Sequence, residues 1–438
     1  MADSPESVPP DEDVLAENGP ASGEKPGSRV PRNPFRRRRD YLIAGLIVVL
    51  SVATSVLVWQ TSDLRATESR GAPAGAPIPD PPSGVPPSLA EAWRAPSAAT
   101  YEPVTAGPSV VTGQGGTVAG RDPITGKVRW SYTRDRPLCT VASAWSRAVS
   151  VYRKDGLRDD PRCSEVTALS ADTGQRKLQR TGDTELGTRL ITDGSYVTAT
   201  GRRLLNTWRD DLVLSVEYGT VPAPVNADKQ PRTGCEFGSV TMAAGRVGVL
   251  ERCPNDPGDR LSVYKATADD NDEPDEIFSV VVDQRGAAQL VALTSERAAV
   301  AIPAERALVV FDEKGERVAS YPIDPSDPGI AKRPPGGVAP TSEDATGIQW
   351  FTGSRTISLS TPDLRPQWTY DGTLGRGTPF AGRVLLPVPD GLAVVDPTSG
   401  ARIGTLPVNR RGYSGQVRTS SIGDLVLEQR GDTLVALH

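Results

Sequence analysis

The side chains that could carry out catalysis are few in this chain. Its 438 residues contain one histidine, His438, and four cysteines. With His438 as the sole histidine, we expect no Ser-His-Asp triad, no Cys-His pair and no multi-histidine metal site. Any catalysis would have to rest on carboxylates, lysine, tyrosine or a cofactor. We therefore predict no catalytic residue, no bound cofactor and no metal site.

The four cysteines predict two structural disulfides out of the three pairings that four cysteines allow. Cys235 and Cys253 bracket a stretch centred on Ala244, with alternating apolar residues on both arms. Folding that stretch into a hairpin places the two sulfurs opposite each other. Cys139 and Cys163 flank a strand and a polar loop. A reactive thiol or a zinc site is disfavoured, because neither a C-x-x-C spacing nor a histidine partner exists.

An acidic run at 269–276, DDNDEPDE, raises the question of a calcium site. An EF-hand loop needs a glycine at its sixth position and a distal glutamate, and the run does not meet that pattern. We therefore expect a solvated loop between strands.

The elements that would position these residues are short strands joined by a recurrent turn. The clearest copy is 118–130, VAGRDPITGKVRW, in which a tight turn from Asp122 to Gly126 separates two strands and the second strand reaches Trp130. Asp-Pro starts the turn, and Gly126 takes the positive φ angle that a side chain would resist. Eroded copies with their turn residues follow at 166–178 (Gly174), 309–321 (Gly315) and 393–406 (Asp396 and Gly400).

The spacing of these turns predicts a β-propeller. Gly126 and Gly174 lie 48 residues apart, and a period in the forties with short strands is typical of that fold. Seven complete units are followed by a half unit at 415–438. The outer strand that the half unit lacks is predicted at 89–93, LAEAW, so that both ends of the domain would share one blade. We predict an all-β, eight-bladed propeller of four-stranded blades over 89–438, with seven blades as the alternative.

Three tryptophans, Trp93, Trp130 and Trp368, close predicted outer strands. Packing between blades needs large, flat side chains at that position. We therefore predict that they pack between blades rather than stack on a ligand.

The first 88 residues predict a membrane anchor. Residues 1–40 are polar and proline-rich, which predicts a disordered cytoplasmic tail. Residues 41–62 are uncharged and long enough to cross the ~30 Å hydrocarbon core. The arginines at 36–39 place the N-terminal side in the cytoplasm, an interpretation we prefer to a lipid-headgroup switch. Residues 63–88 are proline-rich and predict a stiff extracytoplasmic linker, so that the chain would be a single-pass plasma-membrane protein.

The phrase D-P-x-T-G-x-x-x-W resembles the repeats of pyrroloquinoline-quinone-type β-propellers. It is strongest at 122–130 and 396–400, whereas the second copy has Ser170 for the aspartate and Leu178 for the tryptophan. That family includes quinoprotein dehydrogenases and non-enzymatic scaffolds. The dehydrogenases carry adjacent cysteines and an acidic calcium-binding set, which this sequence lacks. The resemblance therefore implies the fold and disfavours a quinone-dependent oxidoreductase.

The order of tail, helix, linker and propeller is similar to that of single-span actinobacterial envelope proteins of the mycobacterial polar growth factor type. Our leading hypothesis is a non-catalytic binding or scaffold module in cell-envelope assembly, with envelope membrane proteins as partners. The alternative is a carrier or accessory factor for an envelope lipid or glycolipid of the trehalose mycolate type, serving an export machine, with loop 329–338 as the lip of a cleft. The net charge of −5 leaves no basic excess for nucleic acid.

Overall fold

The structure, a computed structural model, describes residues 38–60, 62, 65–155, 161–222, 228–283, 288–331 and 336–438. The chain divides into two compact units, Met1–Ser62 and Asp63–His438. Most of the predicted tail, including two of its four clustered arginines, lies outside the described residues.

In the first unit, the described residues form helix α1 (Arg38–Gln60). Its 23 residues are long and apolar enough to cross a membrane, and its large apolar side chains are exposed. The helix begins three residues before the predicted span, 41–62, and ends two residues before the end of that span. The helix begins earlier because Arg38 and Arg39 are good helix formers, although they interrupt the apolar pattern.

The second unit is an eight-bladed β-propeller, so the prediction of eight blades is confirmed and the alternative of seven is wrong. Each blade is an antiparallel sheet, and strands adjacent in sequence pair with each other except at the outer edges of the first and last blades. Blade 1 contains β3 (Val104–Ala106), β4 (Ser109–Gln114), β5 (Thr117–Arg121) and β6 (Val128–Arg134), with β1 (Thr67–Arg70) added outside β6. Blade 2 contains β7 (Leu138–Ala144), β8 (Arg147–Asp155), β9 (Pro161–Ser170) and β10 (Arg176–Thr184).

The next three blades repeat this arrangement. Blade 3 contains β11 (Leu190–Thr192), β12 (Val197–Ala199), β13 (Leu204–Trp208) and β14 (Leu214–Gly219). Blade 4 contains β15 (Glu236–Ala243), β16 (Arg246–Arg252), β17 (Asp259–Lys265) and β18 (Glu276–Asp283). Blade 5 contains β19 (Gln289–Leu293), β20 (Ala298–Ile302), β21 (Ala307–Phe311) and β22 (Arg317–Pro322), with a 3-10 turn at Pro303–Glu305.

The last three blades complete the ring. A one-turn helix, α2 (Pro328–Ala331), precedes blade 6, which contains β23 (Thr341–Asp344), β24 (Gly347–Phe351), β25 (Arg355–Leu359) and β26 (Pro366–Asp371). Blade 7 contains β27 (Thr378–Phe380), β28 (Arg383–Val388), β29 (Gly391–Val395) and β30 (Arg402–Pro407). Blade 8 contains β31 (Val417–Ile422), β32 (Leu425–Arg430), β33 (Thr433–Leu437) and, as its outer strand, β2 (Glu91–Pro96).

The two central strands of each blade account for the short apolar runs in the sequence. All residues are buried in the central strands β20, β21 and β29, and in β28 all but the first are buried. Neighbouring blades cover both faces of these sheets. Outer strands such as β22 alternate instead between exposed and half-buried residues. The hydrophobic core therefore lies between blades, and it holds their faces together around the ring.

Blade 8 closes the ring by pairing the two ends of the propeller, as predicted. Strand β2 runs antiparallel to β33, with Glu91 opposite Leu437 and Pro96 opposite Thr433. The ladder continues through reciprocal backbone hydrogen bonds of 2.8 and 2.9 Å between Ala90 and His438. The outer strand lies slightly later than the predicted 89–93, and pairing continues past Trp93.

Residues 65–88 contact the propeller, whereas the sequence predicted a stiff, extended linker over 63–88. Strand β1 pairs with β6. Further along, Gly75 donates its N–H to Asp172 of blade 2, Ile78 packs against the core of blade 8, and Val85 packs on the core between blades 7 and 8. Prolines carry no N–H group that needs a partner, so such a segment can lie on a surface without completing a sheet.

Both predicted disulfides are present, Cys139–Cys163 and Cys235–Cys253. The second one closes the hairpin of β15 and β16, whose turn is at Ala244 and Gly245, both with positive φ. The first one joins β7 to β9 within blade 2.

The predicted turns and tryptophans meet across blade boundaries. The indole N–H of Trp130 in blade 1 donates to the Ala171 carbonyl in the turn of blade 2 at 2.9 Å. Gly174 has a φ of 72°, and a Cβ atom there would lie 2.7 Å from that indole. Two other tryptophans make the same contact. The indole N–H of Trp93 donates to the Pro123 carbonyl and its ring lies against Gly126; Trp368 does the same with Pro397 and Gly400. In each turn the first residue accepts a hydrogen bond from the backbone N–H three residues later. Asp122 and Asp396 accept it through their carboxylates, and Ser170 accepts it through its hydroxyl group.

We predict that Trp130→Ala lowers the free energy of unfolding by about 3–5 kcal/mol, because it opens a cavity between blades 1 and 2 and removes the bond to the next turn. Trp145→Ala is the comparison variant, because Trp145 also donates its indole N–H to a neighbouring blade, at the Ser195 carbonyl, but is only half-buried and should lose less on truncation. Urea denaturation of the full chain in detergent, followed by circular dichroism, measures both losses. Equal losses for the two variants would contradict the structural role of the turn contact.

Candidate binding site in the central channel

The first strands of the eight blades surround a central channel. Among the described residues, two cavities lie in this channel. The one that we call the vestibule, of about 480 Å³, lies at the end at which these inner strands begin. The inner chamber, of about 400 Å³, lies between the strands themselves. Tyr101, Arg189 and Arg418 line both cavities and therefore lie where the two meet.

These three side chains form a stack that we call the arginine–tyrosine stack. The Cζ atom of Arg189 lies 3.5 Å from the centroid of the Tyr101 ring, and that of Arg418 lies 3.8 Å from it. A carbon so close to a ring centroid must lie almost on the perpendicular, since stacked carbon atoms touch at about 3.5 Å. The two guanidinium groups therefore occupy opposite faces of the ring, with their Cζ atoms about 7 Å apart.

Ring closure positions the tyrosine. The loop between β2 and β3 carries Tyr101, and Gln429 in β32 of blade 8 holds that loop. The Gln429 amide donates to the Ser97 carbonyl at 3.0 Å, and the Thr100 hydroxyl donates to Gln429 at 3.2 Å. Ser97 and Thr100 are buried. Tyr101 is thereby fixed to the composite blade.

The two arginines are held by separate elements. Arg189 precedes β11, and its backbone bonds to Thr200 in both directions, through its N–H at 3.1 Å and its carbonyl at 2.8 Å. Arg418 lies within β31, and its guanidinium donates to Gln416 at 3.1 Å. These bonds hold the backbone of Arg189 and the side chain of Arg418, and stacking on Tyr101 places both guanidinium groups.

The stack leaves the vestibule electropositive. Among the described residues that line it, the ionisable side chains are Tyr101, Arg189 and Arg418. Burial raises the pKa of Tyr101, but the adjacent guanidinium charges outweigh burial and leave this pKa below its ordinary value of 10.0. In the inner chamber, by contrast, Arg376 forms an ion pair with Glu102.

The residues singled out from the sequence lie elsewhere. The turn residues, the tryptophans and the four cysteines do not line either cavity. In the acidic run, Asp270 forms an ion pair with Lys229, and Asp275 does so with Lys265 at 2.9 Å. Glu251 lies close to Cys235 and Cys253, but both sulfurs are bonded in the disulfide and offer no thiolate to a metal.

The stack was not predicted from the sequence. Tyr101, Arg189 and Arg418 each stand at or near the start of an inner strand, but other units also carry polar or charged residues there, such as Glu236, Gln289 and Arg376. An alignment of the units on their inner strands would therefore not have singled out these three residues. From the predicted lip loop, Gly329, Gly337 and Val338 line the vestibule, and residues 332–335 lie outside the described part of the chain.

Comparison with known proteins identifies no family. No family model matches the chain, and no curated protein sequence matches it. Among solved structures, Sqt1 of Saccharomyces cerevisiae is similar, with a TM-score of 0.49 and 9% sequence identity over 80% of this chain and 98% of that chain. The propeller assignment rests on the sheet topology. The comparisons give no support to the quinone-type family or to the actinobacterial layout.

We predict that Tyr101 ionises before the buried tyrosines Tyr152, Tyr218 and Tyr264, whose pKa values are raised chiefly by burial. Tyr101→Phe should abolish the first phenolate step in an absorbance titration, and Arg189→Gln should move it to higher pH. Because the pKa of Tyr101 is lower in the folded chain than in the unfolded chain, its contribution to stability should grow as pH rises through that window.

Tyr152→Phe is the control for this titration, since it removes a tyrosine that ionises late. A first phenolate step that survives in Tyr101→Phe would contradict the assignment of the low pKa to the stack.

Proposed function

We propose that this chain is a non-catalytic binding or scaffold module of the cell envelope, tethered to the plasma membrane by α1 and carrying its propeller on the extracytoplasmic side. The observation that carries the proposal is the arginine–tyrosine stack in a closed ring. Two cations held in place at the junction of two cavities are suited to binding, because their positions cost no reorganisation when a partner arrives.

Two features support the tether and its orientation. The arginines at 36–39 stand on the N-terminal side of the apolar stretch that begins at Tyr41, and positive charges favour the cytoplasmic side of a membrane span. Both disulfides lie in the propeller, and disulfides persist in oxidising, extracytoplasmic compartments. An N-terminus in the cytoplasm and a propeller outside it satisfy both observations.

The chemistry of the channel supports a binding role rather than a catalytic one. The vestibule offers guanidinium groups, amides, hydroxyl groups and one phenol. His438 lies outside the channel lining, where it contacts Asp424 at 2.9 Å and is 57% exposed. Such groups can recognise a ligand by charge and hydrogen bonding. An activated nucleophile needs a general base beside it, and the described residues that line the vestibule include no carboxylate, histidine or lysine.

A second candidate function is that of a carrier for an envelope lipid or glycolipid of the trehalose mycolate type. Part of the vestibule wall is apolar and favours it. The side chains concerned are Pro328, Val338, Pro340, Phe351 and Leu374. Such a wall could hold part of an acyl chain while the polar groups of the stack face the head group.

We predict that single cysteines report the proposed topology in intact cells. Lys127→Cys, at an exposed position of the propeller, should react with a membrane-impermeant maleimide. Ser4→Cys should react only after the membrane is permeabilised, because the tail would be cytoplasmic. The native cysteines supply the control, since as disulfides they should react only after reduction. Labelling of Lys127→Cys only in permeabilised cells would contradict the proposal.

Native mass spectrometry of the full chain, purified from the membrane of its own organism, separates the two candidate functions. A bound lipid or glycolipid of defined mass, lost in Val338→Asp but retained in Val318→Asp, would favour the carrier. Val318 is 49% exposed on the outer strand β22, so its replacement leaves the channel unchanged. A bare protein mass would favour the scaffold.

A further inference from the structure

We propose that the vestibule binds a phosphate-bearing ligand that also carries hydroxyl groups, with the phosphate held between the guanidinium groups of Arg189 and Arg418. The inference rests on the proposed binding function of this same channel and names the chemistry of its ligand. The shared chemistry is that of a small sugar or polyol phosphate and of a glycerophospholipid head group.

Arg189 and Arg418 differ from the buried arginines of the propeller in their partners. Arg134 is paired with Glu165 at 2.9 Å, and Arg410 and Arg430 are both paired with Glu428 at 2.7 Å. Within the described residues, neither Arg189 nor Arg418 has a carboxylate in ion-pair distance. Arg189 and Arg418 are half-buried and line the vestibule, so their charges remain accessible from solution. An anion from solution would supply the counter-charge that the buried arginines find within the chain.

The spacing of the two cations suits a single oxyanion. Their Cζ atoms lie about 7 Å apart on opposite faces of Tyr101. Charge-assisted N–H···O bonds measure about 2.8 Å, so one tetrahedral oxyanion at the edge of the ring can accept from both guanidinium groups. The Tyr101 hydroxyl group lies between them and can donate a third hydrogen bond. Arginine is the side chain best suited to such recognition of phosphate.

Two buried polar atoms of the described vestibule lining lack hydrogen-bond partners. The Nε of Arg418 is buried and has no hydrogen-bond acceptor. Gln289, which lines the same vestibule and is 6% exposed, has a buried amide oxygen with no donor. Buried polar groups are normally satisfied. An oxyanion would satisfy the first atom and a ligand hydroxyl group the second.

The inner chamber does not compete for the anion. Arg376 also lines it, but this side chain is paired with Glu102 and donates to the carbonyl of Thr341. The uncompensated positive charge is therefore confined to the stack, which places the phosphate at the vestibule side of the junction.

The test is isothermal titration calorimetry of the full chain in neutral detergent with inorganic phosphate, glycerol 3-phosphate and dihexanoyl phosphatidylglycerol. We expect at least one of the two glycerol compounds to bind more tightly than inorganic phosphate. Arg189→Gln and Arg418→Gln should each weaken that binding about tenfold or more, since a hydrogen bond to a charged group is lost. Arg189→Lys should retain part of the affinity because it keeps the charge.

Arg365→Gln is the matched control. It removes one positive charge from an arginine that is 64% exposed and outside both cavities, so its affinity should equal that of the parent. Circular dichroism of each variant confirms folding. Preference for glycerol 3-phosphate identifies a soluble ligand, and preference for the short-chain lipid identifies a head group. No binding by any of the three compounds, or binding that the Arg189→Gln and Arg418→Gln substitutions leave unchanged, would overturn the inference. The cysteine-labelling result tests the proposed topology separately, so it would stand whether or not the three compounds bind.

Discussion

The pairing of β2 with β33 is the constraint on which the rest of the structure depends. It joins the first propeller strand to the last one, so that every blade has a neighbour on both sides and no face of the core is left open. The same joint holds the loop that carries Tyr101, through the bonds of Gln429 to Ser97 and Thr100. Ring closure and the geometry of the candidate site are therefore one feature of the molecule.

The parts of the fold that could be predicted from the sequence are those specified by local interactions. The turn Asp122–Gly126, for example, spans five residues. Its aspartate carboxylate accepts a backbone N–H of the turn, and its glycine tolerates a positive φ. The central strands are recognisable because they are buried on both faces. The composite blade was predictable for a related reason, since a half unit at one end of the domain and an isolated strand at the other complement each other.

The candidate site could not be predicted in this way, because its residues meet only when the ring is closed. Tyr101, Arg189 and Arg418 come from blades 1, 3 and 8, and no pattern of spacing connects them in the sequence. The course of residues 65–88 could not be predicted for a comparable reason. Their composition indicates an extended chain, but whether such a chain is free or lies on a surface depends on contacts with distant residues such as Asp172.

The central claim is that a closed ring holds two uncompensated cations ready for an oxyanion. X-ray diffraction from crystals of the protein soaked in tungstate, an anion with the tetrahedral shape of phosphate, tests it most directly. We expect an anomalous peak within hydrogen-bonding distance of both the Arg189 and Arg418 guanidinium groups, next to the Tyr101 hydroxyl group. An empty stack beside tungstate bound elsewhere, or a carboxylate of the chain already seated between the two arginines, would contradict the account.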